Sequence, residues 1–205
     1  YERLKKEKAI RYLPDGVFLH AADGVFPTAT GRAQFYQENP TPRIGYPGEI
    51  DVEKEHLPFF EPPMEAWTKT VGNLEKNELS DKYPLIYYNG SQRWRTHTTY
   101  TRHRVLRELD PEPSVRLSRK DAEDRGITDG DMVRIFNDRG FVVARAYIND
   151  GLRPGMINMD RGWQHDQFVA GHYSDLTHRN ATAICCNNLY YDTLCEVEKY
   201  DGGEQ

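Results

Sequence analysis

A chain of 205 residues is long enough for one large domain or two small ones. Its 38% hydrophobic, 12% aromatic and 29% charged residues exclude a collagen-like repeat and an extended disordered tail, and no apolar run approaches the ~20 residues of a membrane-spanning helix. With 27 basic against 32 acidic side chains the net charge is −5, which argues against a general polyanion binder but leaves room for a local basic patch.

The chain opens at Tyr1 with no signal peptide in view, so it reads as a segment of a longer protein or as a processed one. The compartment stays open. Glu2 to Leu13 predicts a short helix stopped by Pro14-Asp15-Gly16. Gln34 to Gln37 predicts a strand. Between Asn39 and Pro63 prolines and glycines recur without hydrophobic periodicity, which predicts an extended arm lying over another surface. Residues 1–80 are therefore expected to be a helix and linking arm, and 81–205 a separate domain.

From Tyr83 onward, short β-type runs alternate with turn signals. Six strands are predicted: Leu85–Tyr88, Ser114–Leu117, Met132–Phe136, Phe141–Ile148, Met156–Met159 and Thr193–Val197. The third and fourth make a hairpin across Asn137-Asp138-Arg139-Gly140, with Gly140 supplying the permissive turn position. Helices are predicted over Thr101 to Leu109 and after Ser118, an N-cap with Asp121 three places on and Gly126 at the far end. Six short strands with interrupting helices predict a closed or nearly closed barrel, with a plain sandwich as the competing architecture. Cys185, Cys186 and Cys195 are an odd number for a disulfide framework and lack zinc-site spacing, so they read as reduced thiols in a packed region.

The most informative stretch is Arg93 to Arg104, RWRTHTTYTRHR, with four arginines, two histidines, five hydroxyl side chains and no acid. It follows the first strand and the flexible Asn89-Gly90-Ser91. Arginine forks and backbone amides suit a compact anion such as a phosphate. A solvated basic loop paired with nearby acids is an equal reading. A third is single-stranded nucleic acid stacked on Trp94 and Tyr100, although no basic character extends elsewhere. Asp160-Arg161-Gly162-Trp163 is a second spot, where a glycine permits close approach and Trp163 either walls a pocket or fills the core. His165, His172 and His178 are spaced too widely for a usual metal pair. Asn180, Asn187 and Asn188 offer amides to a flat heterocycle or simply make turns. No nucleophile elbow, zinc-protease motif or phosphate-binding loop is present.

Taken in order, these motifs resemble the C-terminal part of the catalytic subunits of the dimethyl sulfoxide reductase family of molybdopterin oxidoreductases. The matching pieces are YPLIYYNGSQRWRTHTTY (83–100), LSRKDAEDRGITDGDMVRIFNDRG (117–140), LRPGMINMDRGW (152–163) and YYDTLCEVEK (190–199), with VFPTATGRAQFYQE (25–38) before them. The resemblance implies a six-stranded double-psi β-barrel, mainly β with short helices, after an irregular N-terminal arm. It implies a molybdopterin guanine dinucleotide, one of two holding molybdenum or tungsten in the parent enzyme. Carried over residue by residue, the contacts are Gly90, Ser91, Arg93, Arg95, Thr96, His97 and Thr98 to pyrophosphate and pterin. Ser118 and Asp121 would meet the guanine donors, and Gly162, Trp163, Asp175 and Asn187 complete the set. Asp175 stands where the family often has asparagine, so its ionised carboxylate can only accept. The metal ligand and any iron–sulfur cysteines would lie upstream. The fragment alone is expected to be inactive. Its partners would be the other domains of the same polypeptide. Further candidates are a membrane anchor and an iron–sulfur electron-transfer subunit; no nucleic acid is expected.

Overall fold

A computed structural model describes residues 1–10, 21–46, 48–60, 62–70 and 73–202. Contacts divide the chain into two compact units, Tyr1–Thr41 with Ile50–Phe59, and Pro42–Glu49 with Phe60–Gln205.

The first unit is irregular. Helix α1 is Glu2–Glu7 and buries no residue; it closes at Lys8, which adopts φ 60° and sends its N–H back to the Leu4 carbonyl. That left-handed cap ends the helix earlier than the sequence pattern predicts. The rest of the expected helix, from residue 11, lies outside the described residues. Helix α2 is Val52–Glu55, capped by the Asp51 side chain accepting from the Lys54 N–H. The strand expected at Gln34–Gln37 does not form. Instead Tyr36 stacks on His56 at 4.8 Å and the Gln37 N–H donates to the His56 carbonyl.

The second unit begins, after the Pro42–Glu49 segment, with a hairpin of β1 (Trp67–Thr70) and β2 (Asn73–Lys76), then α3 (Leu79–Lys82). The barrel strands follow as β3 (Leu85–Tyr88), β4 (Ser114–Leu117), β5 (Met132–Phe136), β6 (Phe141–Ile148), β7 (Met156–Met159) and β9 (Thr193–Lys199). A two-residue strand, β8 (Ala170–Gly171), adds to the β6 edge. Helix α4 is Arg104–Leu109 and α5 is Arg119–Glu123. α4 starts three residues later than predicted, because Thr98 to Thr101 are held in turns by the Thr101 Oγ1 bond to the Thr98 carbonyl.

The strand order is β4-β7-β3-β9-β5-β6, and the extra pairing of β4 with β6 closes the ring. Closure excludes the sandwich. Two pairs are parallel, β3 with β7 and β4 with β6, and the others are antiparallel, the mixture that a double-psi barrel requires. Period-2 alternation builds the interior: Val133 and Ile135 on β5, Leu85 and Tyr87 on β3, Val115 and Leu117 on β4. These join Ile157, Met159, Val142 and Val197 in one core. Each such aliphatic side chain contributes roughly 1.5–3 kcal/mol on burial. Tyr87 lies among them with its hydroxyl taken by Asn89 Nδ2 at 3.0 Å and the Tyr173 carbonyl at 3.3 Å. Burial pushes its phenol pKa strongly upward.

The β5–β6 hairpin forms as predicted, but for a different reason. Gly140 does not have positive φ. A Cβ there would sit 3.0 Å from Cβ of Asp175, so close packing, not turn geometry, favours the glycine. The cysteines are all free as expected, and Cys195 is buried, but Cys186 is intermediate and Cys185 is exposed in an irregular loop. Among the described residues no helix is long and apolar enough to cross a membrane.

Candidate functional site

Strand direction decides which loops meet. Tyr88 at the end of β3 pairs with Asn158, and Tyr87 pairs with Thr193 at the start of β9. The loop after β3, the turn after β7 and the loop leading into β9 therefore share one rim. At that rim the Arg161 N–H donates to the Gly90 carbonyl at 3.0 Å. A Cβ on Gly90 would lie 2.6 Å from Oδ1 of Asp160. Gly162, at φ 104°, lies against the His97 backbone: an added Cβ would be 2.7 Å from the His97 carbonyl carbon and closer still to its oxygen. His97 and Tyr100 themselves adopt positive φ, which bends the Thr96–Tyr100 segment into a compact turn closed by the Thr99 N–H on the Thr96 carbonyl.

The basic stretch sorts into paired and free cations. Arg95 is buried, ion-paired with Asp110 and stacked 3.6 Å over the Trp163 ring. Burial pulls its pKa down, and its Nε finds no acceptor. Trp163 is itself 2% exposed, so it is core and a platform for Arg95. Arg102 bonds Gln164 and pairs with Asp166 at 2.6 Å, holding that carboxyl below its ordinary range. Arg104 reaches Glu108 only at 4.0 Å. Arg93 is exposed and lies over the Trp94 ring at 5.1 Å. Ser91, Thr96, His97 and Thr98 are exposed. The solvated-loop reading describes Arg102 and its acid partner, and the anion reading keeps Arg93 and the exposed hydroxyls as its candidates.

The structure separates Ser118 and Asp121 from that group. Leu117 pairs with Ile157 in an antiparallel register, so the end of β4 faces the start of β7 at the opposite rim. There Ser118 caps α5, its Oγ donates to Oδ2 of Asp121 at 2.6 Å, and the Gly155 N–H donates to the same oxygen at 2.9 Å. Oδ1 lies 3.9 Å from Arg125, which pairs with Glu196. Asp175 is exposed in the 3-10 turn Tyr173–Leu176 beside the β5–β6 hairpin. Asn187 is exposed in the loop before β9, its N–H on Thr182 Oγ1 at 3.1 Å.

One residue of the rim stands in the second spot of the sequence reading but has no role assigned there. Arg161 is half-buried, and its Nη1 donates to the hydroxyls of Tyr190 and Tyr191, each at 3.1 Å, while Nη2 donates to Ser91 Oγ at 2.9 Å. These partners lie far away in sequence, so no local motif signals the cluster. Burial raises the Tyr191 phenol, and Arg161 opposes that shift.

A closed six-strand barrel with these two parallel pairings is a double-psi β-barrel, and its donor-rich loops gather at one rim. The family model described as "Molydopterin dinucleotide binding domain" matches residues 85–194. The chain belongs to that family, in the form carried by dimethyl sulfoxide reductase family molybdopterin oxidoreductases. It is 35% identical over 174 residues to a putative dimethyl sulfoxide reductase catalytic subunit from Halobacterium salinarum, covering 85% of this chain and 20% of that protein. It is 38% identical over 141 residues to the alpha subunit of chlorate reductase from Ideonella dechloratans, covering 58% of this chain and 15% of that protein. The chain thus spans a fifth or less of the length of these relatives. Acetylene hydratase from Pelobacter acetylenicus shares the fold, with a TM-score of 0.59 at 17% identity over 86% of this chain and 24% of that one.

Proposed function

We propose that this chain is the cofactor-holding region of the catalytic subunit of a molybdenum- or tungsten-dependent oxidoreductase, and that it binds molybdopterin guanine dinucleotide. The observation that carries the reading is the shared rim, where the β3 loop, the Gly162 turn and the β9 loop present exposed donors side by side. Ser91, Arg93, Thr96, His97 and Thr98 would meet phosphate and pterin oxygens there. Their chemistry fits the group: hydroxyls, an imidazole and an exposed guanidinium, with the loop backbone brought close by two glycines. Arg95, Gly162 and Trp163 support this surface from beneath. Their role is to fix the loop, since the guanidinium is committed to Asp110 and the indole. When bound, the dinucleotide supplies the redox chemistry through its metal. The residues of this chain hold and orient it.

Guanine recognition by Ser118 and Asp121 is supported by their position only if the dinucleotide runs along the barrel to the far rim. Asp121 must then share a carboxylate that already accepts two hydrogen bonds. Asp175 and Asn187, both exposed, are proposed to close the near rim. Residues 1–80 are proposed to link to upstream domains that carry the metal ligand and any iron–sulfur cluster, the whole being partnered by an electron-transfer subunit. The test is cofactor analysis of the full-length protein carrying this chain. Stoichiometric pterin, guanylate and molybdenum or tungsten are expected. An active preparation free of pterin overturns the reading.

A further inference from the structure

Cys185 and Cys186 are neighbours in the loop that leads into β9, and both are free thiols. Cys185 is exposed and Cys186 is partly buried. Cys195 is different. It is buried in the core, where a thiol packs as a small apolar group, and burial pushes its pKa well up and leaves it inert. Packing gives no such account of the exposed pair. The loop that carries the pair is tied at several points. Ala181 bridges to Asn188, the Thr182 N–H donates to the Asn187 carbonyl at 2.9 Å, and the Cys186 N–H donates to the Thr182 carbonyl at 2.8 Å. Arg43, in the Pro42–Glu49 segment of the same compact unit, donates its N–H to the Ala183 carbonyl at 3.0 Å and Nη1 to the Cys185 carbonyl at 3.3 Å. Cys186 itself adopts φ 53°, so the pair does not follow the alternation that sends neighbouring strand side chains to opposite faces.

Two thiols held on one short loop are a chelating pair, and geometry narrows what they can hold. A disulfide between them is poorly matched. Cα atoms one peptide apart stand about 3.8 Å from each other, and a disulfide usually spans about 4.4–6.8 Å. One atom inserted between the sulfurs lengthens the bridge and relieves that mismatch. Thiolates select soft centres. Zinc would need four ligands, and among the described residues no group of three or more histidine, cysteine and acidic side chains could supply them. What remains is a thiophilic centre that two sulfurs satisfy, and a trivalent arsenic carrying one organic group is such a centre.

We infer that Cys185 and Cys186 form a vicinal dithiol site that chelates a monosubstituted trivalent arsenical. The hydrated ligand carries two hydroxyls on arsenic. Two As–S bonds form, two As–O bonds break, and each thiol proton leaves with a hydroxyl as water. Arsenic stays trivalent and no oxidant is needed. The full-length protein carrying this chain provides the test, with phenylarsine oxide as the probe. The double variant Cys185→Ser/Cys186→Ser is the reference for arsenic held elsewhere. After loading and washing in excess monothiol, wild type should keep one more equivalent of arsenic than the reference, and dithiothreitol should remove it. The second As–S bond closes within the loop, so wild type should release this arsenic about a hundredfold more slowly than Cys185→Ser or Cys186→Ser, each of which holds it by one bond. A second readout is iodoacetamide labelling of the native wild type, mapped by peptide mass spectrometry. Phenylarsine oxide should protect Cys185 and Cys186 together, whereas a merely packed pair would label alike with and without it. No extra equivalent in wild type overturns the inference, as do single variants that retain arsenic as wild type does. If the variants fail to fold, labelling decides, and Cys185 labelled equally in the presence of the arsenical overturns the site. Pterin content of the same preparations reports on the cofactor reading separately.

Discussion

Substituting Gly162 by alanine tests whether the turn after β7 holds the loop after β3 by direct contact. The new Cβ would stand 2.7 Å from the His97 carbonyl carbon and 3.4 Å from the Thr98 nitrogen. Both are backbone atoms, so no side chain can swing aside. The Thr96–Thr99 turn must move. The residue also sits at φ 104°, which costs an L-amino acid about 1–3 kcal/mol. Overpacking adds about 1–3 kcal/mol, so the sum is about 2–6 kcal/mol, centred on about 4. Gly126→Ala is the control. It has φ 63° and nothing within 4 Å, and incurs only about 1–2 kcal/mol of backbone strain. For a unit of this size each kcal/mol shifts the melting temperature by roughly 2–4 °C. Thermal unfolding by circular dichroism should therefore show a fall of about 10 °C for Gly162→Ala and about 4 °C for Gly126→Ala. Equal falls would refute the argument, because the contact with His97 would then carry no energy.

Two further outcomes follow from buried and capped charges. Glu65 is nearly buried and accepts from Arg139 Nη1 at 2.6 Å and from the Leu194 N–H at 2.7 Å. Arg139→Met should cost about 3 kcal/mol in urea unfolding by stranding that carboxylate, and adding Glu65→Gln should recover part of the loss. A strictly additive double variant would contradict the pairing. The Asp131 carboxyl is lowered from 3.8 to about 2 by the Thr128 N–H, then by Lys199 and the Thr128 hydroxyl. A depressed carboxyl stabilises fully above its unfolded value and loses that contribution as pH falls toward 2. Urea midpoints measured from pH 5 to 2 should fall less steeply in Asp131→Asn than in wild type, and identical acid limbs would count against it.

The barrel is legible in the sequence because its strands alternate. Leu85 and Tyr87, or Val133 and Ile135, announce one inward face with a period of two. The β1–β2 hairpin is not among the predicted elements, although Gly72-Asn73 after a β-branched run is a turn signal. β8 is too short to carry any pattern. At the site, the basic loop is visible but its internal sorting is not. Nothing in RWRTHTTYTRHR says that Arg95 will find Asp110 and stack on Trp163 while Arg93 stays free. Motif order likewise conceals strand direction, so Ser118 and Gly90 look like members of one set although the register sends them to opposite rims. Arg161 lies within one of the matching motifs, yet its meaning depends on hydroxyls 70, 29 and 30 positions away.

β9 pairs with β3 on one side and β5 on the other, though it comes last of the strands in the chain. β3 thus waits for a partner synthesised more than a hundred residues later, and the ring stays open until then. Such long-range closure is slow, and it leaves β3 and β5 with bare edges during translation. Tyr190 and Tyr191 arrive with the same strand. The surface built from all three loops of that rim is therefore complete only once this region has been synthesised.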